Sequence, residues 1–158
     1  MIIAIDPGNE QSAFVYFDGK AILNKGILPN NEVRKIIKDE SSYPDPPFTV
    51  IEMVASYGMP VGKTVFETCV WIGRFVECSH DCDLIYRKDV KMHLCQSMRA
   101  KDSNVRQALI DRFGKPGTIK NPNIIYGETS RVEDKIKADM WAALAVAVTW
   151  WDQAPNRG

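Results

Sequence analysis

The sequence predicts an α/β domain: one five-stranded mixed sheet, its first three strands antiparallel, flanked by helices. Three observations predict it. Residues 2–5 and 48–51 are short apolar runs of the kind that form strands buried on both faces. Residues 12–17 alternate, are rich in aromatic and β-branched side chains, and lead into the hairpin signal Asp18-Gly19. Residues 140–148 are apolar on every side, which predicts a helix lying largely inside the protein.

With 158 residues, 45% hydrophobic and 25% charged, the chain has the length and composition of one soluble domain. We place that domain at residues 1–151 and a flexible tail at 152–158. No apolar run reaches 18 residues, and no basic segment precedes an apolar one at the N-terminus. A cytoplasmic setting is the default expectation. In that reducing context Cys69, Cys78, Cys82 and Cys95 read as free thiols. Cys78, His80, Cys82, His93 and Cys95 lack the Cys-x2-Cys spacing of a zinc module. The net charge is zero, but residues 87–120 carry nine Lys and Arg against three Asp, a local +6 balanced by −6 elsewhere. One face can therefore meet a polyanion while acids gather at another.

In chain order, residues 2–5 form the first strand and end in Asp6, where Pro7-Gly8 turns the chain. Strands follow at 12–17 and 20–27, then a helix over 32–38 after the start signal Pro29-Asn30-Asn31, then a proline-bearing loop over 41–47. The run 48–51 ends, like the first, in one acid, Glu52, and a glycine-containing loop over 53–62. A helix over about 61–78 has one stripe of Val61, Val65, Cys69, Ile72 and Val76. A neighbouring stripe of Thr64, Thr68, Trp71 and Phe75 is either more core or a partner surface. Residues 84–86 form a further strand, 103–113 a helix with Val105, Ala108, Leu109 and Phe113 on its apolar side, and 135–151 the last helix. Asp139 stands at the N-terminal edge of that helix's buried stretch, where an acid also serves simply to complement the helix dipole.

Asp6 alone is equally a turn opener or a ligand. If the strands bearing Asp6 and Glu52 run parallel, both acids fall at one sheet edge, and a last helix packed across the sheet brings Asp139 there too. Converging carboxylates repel one another; a divalent cation removes that cost, and oxygen ligands suit Mg²⁺ or Mn²⁺.

These residues resemble a known family. Ile3-Ala4-Ile5-Asp6-Pro7-Gly8, the strand ending in Ile51-Glu52, and Asp139 followed by the apolar run from Ala142 are similar to the RuvC-type Holliday junction resolvases of the ribonuclease H-like superfamily. Val90-Lys91 and Arg99-Ala100-Lys101 resemble that family's basic segment. Residues 57–63 and Trp141-Ala142-Ala143 look closer to phage- or prophage-encoded members. The resemblance covers nearly the whole chain in order. It implies a ribonuclease H-like fold, a homodimer, and magnesium-dependent cleavage of branched DNA in recombination and repair. It also implies Asp6, Glu52 and Asp139 as metal ligands and catalytic residues. Two ions about 3.5–4 Å apart would activate a water and stabilise the leaving 3′-oxygen. The family's last helix carries two acids three residues apart; aligned without a gap, Asp139 matches the first, Ala142 stands at the second and Glu133 or Asp134 is the candidate fourth ligand, while a gapped alignment places Asp139 at the second.

Beside the metal site, Tyr57 is a candidate to stack on opened bases and Lys63 to meet a phosphate, with a packing role the alternative for Tyr57. Lys91, Arg99 and Lys101 are the candidate phosphate contacts. The Thr64, Trp71 and Phe75 stripe is the candidate dimer surface. Two rival functions are a ribonuclease H-like nuclease acting on flaps or hybrids, and a non-catalytic junction- or RNA-binding module. A sugar-kinase or actin-like ATPase needs a second large domain and another glycine-rich loop, for which this length leaves no room.

Overall fold

β1 (Ile2–Asp6) is apolar on both sides of its pleat and takes the centre of the sheet, with Ile2 to Ile5 essentially inaccessible to water. The computed structural model describes residues 1–114 and 136–154. β2 (Gln11–Phe17) pairs antiparallel with one side of β1, and β3 (Ile22–Pro29) pairs antiparallel with β2. β4 (Phe48–Met53) runs parallel to the other side of β1, and β5 (Cys82–Tyr86) runs parallel to β4. The order is β3-β2-β1-β4-β5, the mixed five-stranded sheet that the sequence predicts.

Period-two alternation divides the interior in two. Ile3 and Ile5 pack with Phe14, Ile51, Val33 and Ile37 of α1 (Asn30–Glu40), and Ile72 and Phe75 of α2 (Lys63–Cys78). On the other face Ile2, Ala4 and Val50 meet α5 (Met140–Gln153), with α3 (Arg87–Cys95) and α4 (Asp102–Phe113) flanking it. Met140 to Thr149 of α5 are buried with the single exception of Ala142, consistent with their apolar sequence.

The differences from the sequence reading have local causes. The return strand starts at Ile22, because Asp18 Oδ1 accepts from the backbone N–H of Lys20 (2.8 Å) and Ala21 (2.6 Å) and holds them in the turn. α5 starts at Met140, well after residue 135, because Ala138 has φ +46°, a left-handed conformation that a helix does not contain. The buried side of α2 is neither predicted stripe: it takes Ile72 from one and Thr68 and Phe75 from the other. Phe75 is fully buried, Trp71 partly so and Thr64 exposed, so the predicted dimer stripe is divided between core and surface. The apolar residues that α2 leaves most open to water are Phe66 (61% exposed) and Val70 (54%), one turn apart, with Val76 less so. Finally, Asp152 is not in a frayed tail. It lies in the last turn of α5, where Arg112 grips it through both terminal nitrogens and His93 Nε2 approaches to 2.8 Å.

Candidate functional site

The register of β1 on β4 pairs Ile5 with Ile51, so Asp6 and Glu52 follow side by side at the C-terminal edge of two parallel strands. Both share the parity of Ala4 and Val50 and so face α5. The turn after Asp6 is fixed by a buried polar knot. Gly8 N–H donates to Ser12 Oγ (3.2 Å), Ser12 donates to Asn30 Oδ1, and Asn30 Nδ2 donates back to Gly8 O (2.8 Å). A Cβ on Gly8 would stand 2.3 Å from the Gln11 carbonyl oxygen, so no other residue fits this turn unchanged.

The start of α5 reaches the same edge. Asp139, following left-handed Ala138, is exposed and makes no capping hydrogen bond to its helix. Asp6, Asp139 and Asp102 line one small cleft of about 90 Å³ with Arg87, Arg106 and Trp141. Glu52, 6% exposed, joins this group through Arg87, whose guanidinium donates to Glu52 Oε1 at 2.7 Å and to Asp102 Oδ1 at 2.6 Å. Ala142 also lines the cleft: the position three residues past Asp139 faces it without a carboxylate, and Asp102 brings one from α4.

The electrostatics are those of a crowded acid cluster. Burial, then repulsion from Glu52, Asp139 and Asp102, pushes Asp6 up to about 8, against a smaller opposing pull from Arg87. Burial also raises Glu52, although Arg87 draws it back. Asp102 is held below the ordinary carboxylate range by its hydrogen bond to Arg87. Burial disfavours the charge on Arg87, but Glu52 and Asp102 outweigh it.

Among the described residues no three His, Cys, Asp or Glu side chains close around one point as a metal cage. The donor set nonetheless suits a hard divalent cation: all candidate ligands are carboxylates, and a cation relieves the repulsion that raises Asp6. Glu133 and Asp134, the candidate fourth ligands, lie outside the described residues, as do Lys115 and Lys120 of the basic stretch.

No family model and no curated protein sequence matches this chain. Its structure is similar to that of Thermus thermophilus RuvC, with a TM-score of 0.62 and 14% identity over 94% of this chain and 91% of that one. A structure of T. thermophilus RuvC in complex with Holliday junction substrate gives the same score and identity over 97% and 93%. The fold is shared.

Around the cleft, Lys91 is half-buried and lies near enough to act on both Glu52 and Asp102. Arg99 and Lys101 are exposed on the turn into α4, where Asn104 Oδ1 accepts from Lys101 N–H (2.8 Å). Tyr57 is 58% exposed with φ +48°, so it is not the packing aromatic of the alternative reading. Lys63 opens α2, its side chain 90% exposed and 3.9 Å from Glu67. Sequence reasoning missed Arg87, Asp102 and Arg106. The available signal was position: Arg87 directly follows the third parallel strand at the edge where the other two end in Asp6 and Glu52. A larger cavity of about 550 Å³ at the β5 edge holds two acids, Asp83, which accepts from the Trp150 indole at 2.7 Å, and Asp89.

Proposed function

We propose that this chain is a metal-dependent endonuclease that cuts four-way DNA junctions and related branched DNA. One observation carries the proposal: Asp6 and Glu52 end adjacent parallel strands on one face of the sheet, and Asp139, from a distant part of the sequence, shares a cleft with Asp6. They do so in a fold that matches, over 97% of this chain, a RuvC structure holding a Holliday junction. Asp6, Glu52 and Asp139 would hold Mg²⁺ or Mn²⁺, with Asp102 beside them. Two such ions, when bound, supply an activated water and charge stabilisation at the leaving oxygen. The chain's own part is positioning: carboxylates on two adjacent rigid strands fix the acids against the cleft. Arg106, its guanidinium 4.6 Å from the centroid of the Trp141 ring, stands at the cleft wall as a phosphate contact. Lys63, Lys91, Arg99 and Lys101 would contact phosphates, and Tyr57, 58% exposed with Lys88 over its ring, would stack on an unpaired base.

The described residues of each chain form one such site, and a four-way junction needs two cuts. We therefore infer a homodimer, with the exposed Phe66 and Val70 side of α2 as its contact. Incubation of the protein with a labelled four-way junction and Mg²⁺ tests the function. Wild type cuts, while Asp6→Asn or EDTA abolishes cutting; undiminished cutting by the variant removes Asp6 from the site, and an inert wild type removes the enzyme. Flap and RNA–DNA hybrid substrates run alongside separate a junction enzyme from a general nuclease. Sedimentation of Phe66→Glu tests the dimer: a monomer is expected, and an unchanged dimer excludes this contact.

A second reading has one observation in its favour: Arg87 pairs with both Glu52 and Asp102 and offsets one of their two charges. A module that binds junctions without cutting them needs no more, and tight metal-independent binding with no cleavage would favour it.

A further inference from the structure

Glu52 is the deepest of the acids, its side chain only 8% exposed, and its Oε1 is taken by Arg87 at 2.7 Å. The same guanidinium holds Asp102 at 2.6 Å from its second terminal nitrogen. Asp102 differs from Glu52 in being open to water, 78% exposed at the side chain. Arg87 therefore has one buried partner and one solvated partner. A guanidinium cannot shed its proton to vacate such a place; it must move. A divalent cation held by Asp6 and Glu52 would compete with that fixed positive charge for Glu52, whose side chain is only 8% exposed.

We propose that Arg87 is a built-in counter-ion, held by Glu52 and Asp102 in the metal-free protein and displaced from Glu52 when a divalent cation binds. The inference rests on the metal reading above and deepens it. Asp102 then acts as the tether: Arg87 keeps that partner while leaving Glu52, so it stays at the cleft and turns toward where an anionic phosphodiester enters. Arg87 is in this account a positioning residue. It keeps two buried or crowded acids from repelling one another before metal arrives, and its release ties metal loading to readiness for substrate.

Two measurements test this without any cleavage assay. The first is Mn²⁺ affinity, read from the free-ion electron paramagnetic resonance signal, for wild type, Arg87→Met and Arg87→Lys. Removal of the competing charge should tighten binding by roughly tenfold or more in Arg87→Met, the scale of one charge-assisted hydrogen bond. Arg87→Lys, which keeps the charge and loses the two-pronged grip, should fall between. The second is side-chain NMR of the Arg87 guanidinium in the wild-type protein, assigned by its loss in Arg87→Met or Arg87→Lys. Its ion-paired resonances should shift as Mg²⁺ is titrated in. This measurement stands even where Arg87→Met does not fold. Equal Mn²⁺ affinities in wild type and Arg87→Met, or guanidinium signals unmoved at saturating Mg²⁺, overturn the inference and leave the metal site standing. If neither wild type nor Arg87→Met takes up Mn²⁺, the metal reading falls and the inference falls with it.

Discussion

Replacing Asp6 by Asn should make the metal-free protein more stable at alkaline pH, even though it removes a residue at the heart of the site. Asp6 sits in the folded chain with its pKa raised from 3.8 to about 8, chiefly by burial and then by Glu52. Because the folded state holds a proton that the unfolded state releases, stability falls as pH rises between those two values. The contribution is fully present below pH 4 and lost as pH passes through 8. That interval is a little over four pH units, and at about 1.36 kcal/mol per unit it sets a ceiling of roughly 6 kcal/mol. Water reaching the edge of the cleft and small side-chain adjustments lower the realised figure, so a difference of about 2–4 kcal/mol is expected at pH 9. Asn keeps the shape and carries no charge, so the variant and wild type should nearly coincide near pH 4 and diverge steadily above it. Urea denaturation in EDTA at pH 5, 7 and 9 measures the gap. A gap that stays constant across this range, or a variant less stable than wild type at pH 9, refutes the reasoning. Under the proposed function, saturating Mg²⁺ at pH 8 should stabilise wild type and leave Asp6→Asn unmoved.

Asp139→Asn should leave stability within about 0.5 kcal/mol, because the side chain is exposed and caps nothing, while junction cleavage falls by at least about a hundredfold; thermal melting and a cleavage time course give the two numbers. Gly8→Ala should cost about 1–3 kcal/mol in urea denaturation, since its new methyl group meets the Gln11 carbonyl and forces the turn beneath Asp6 to shift. Truncation after Trp151 should cost about 1–2 kcal/mol by removing the partner of Arg112 and His93. The Asp152 carboxyl is held below its ordinary range by Arg112, so its contribution is present above about pH 4 and fades as pH falls through the lowered value; the penalty of truncation should shrink in parallel.

Much of the sheet could be read from residues 2–5 and 48–51, because a strand covered on both faces must be apolar throughout, and each run stops at an acid. Those two stops also disclosed Asp6 and Glu52. The side of α2 could not be read in the same way. Its two apolar stripes lie one residue apart around the helix, and the placement of α1 and β4 against it decides that Thr68, Ile72 and Phe75 face inward. The beginning of α5 escaped because hydrophobic periodicity carries no information about the left-handed backbone at Ala138. Arg87 was hidden for another reason. Counted among nine basic residues it looked like surface charge, whereas its acid partners lie 35 residues before it and 15 after it in the chain.

The two-sided interior of the sheet has a wider consequence. The acids stand on the α5 side, whereas α2, with Phe66 and Val70 in water, covers the other. Surface change on α2 can thus alter what the molecule associates with while the acid cluster keeps its geometry, since β1 and β4 form a rigid wall between them. A single-residue insertion within β1 would be different in kind. It would turn Asp6 through the sheet into the apolar layer of α1 and α2, so this strand tolerates exchange of one apolar residue for another far better than any change in its length.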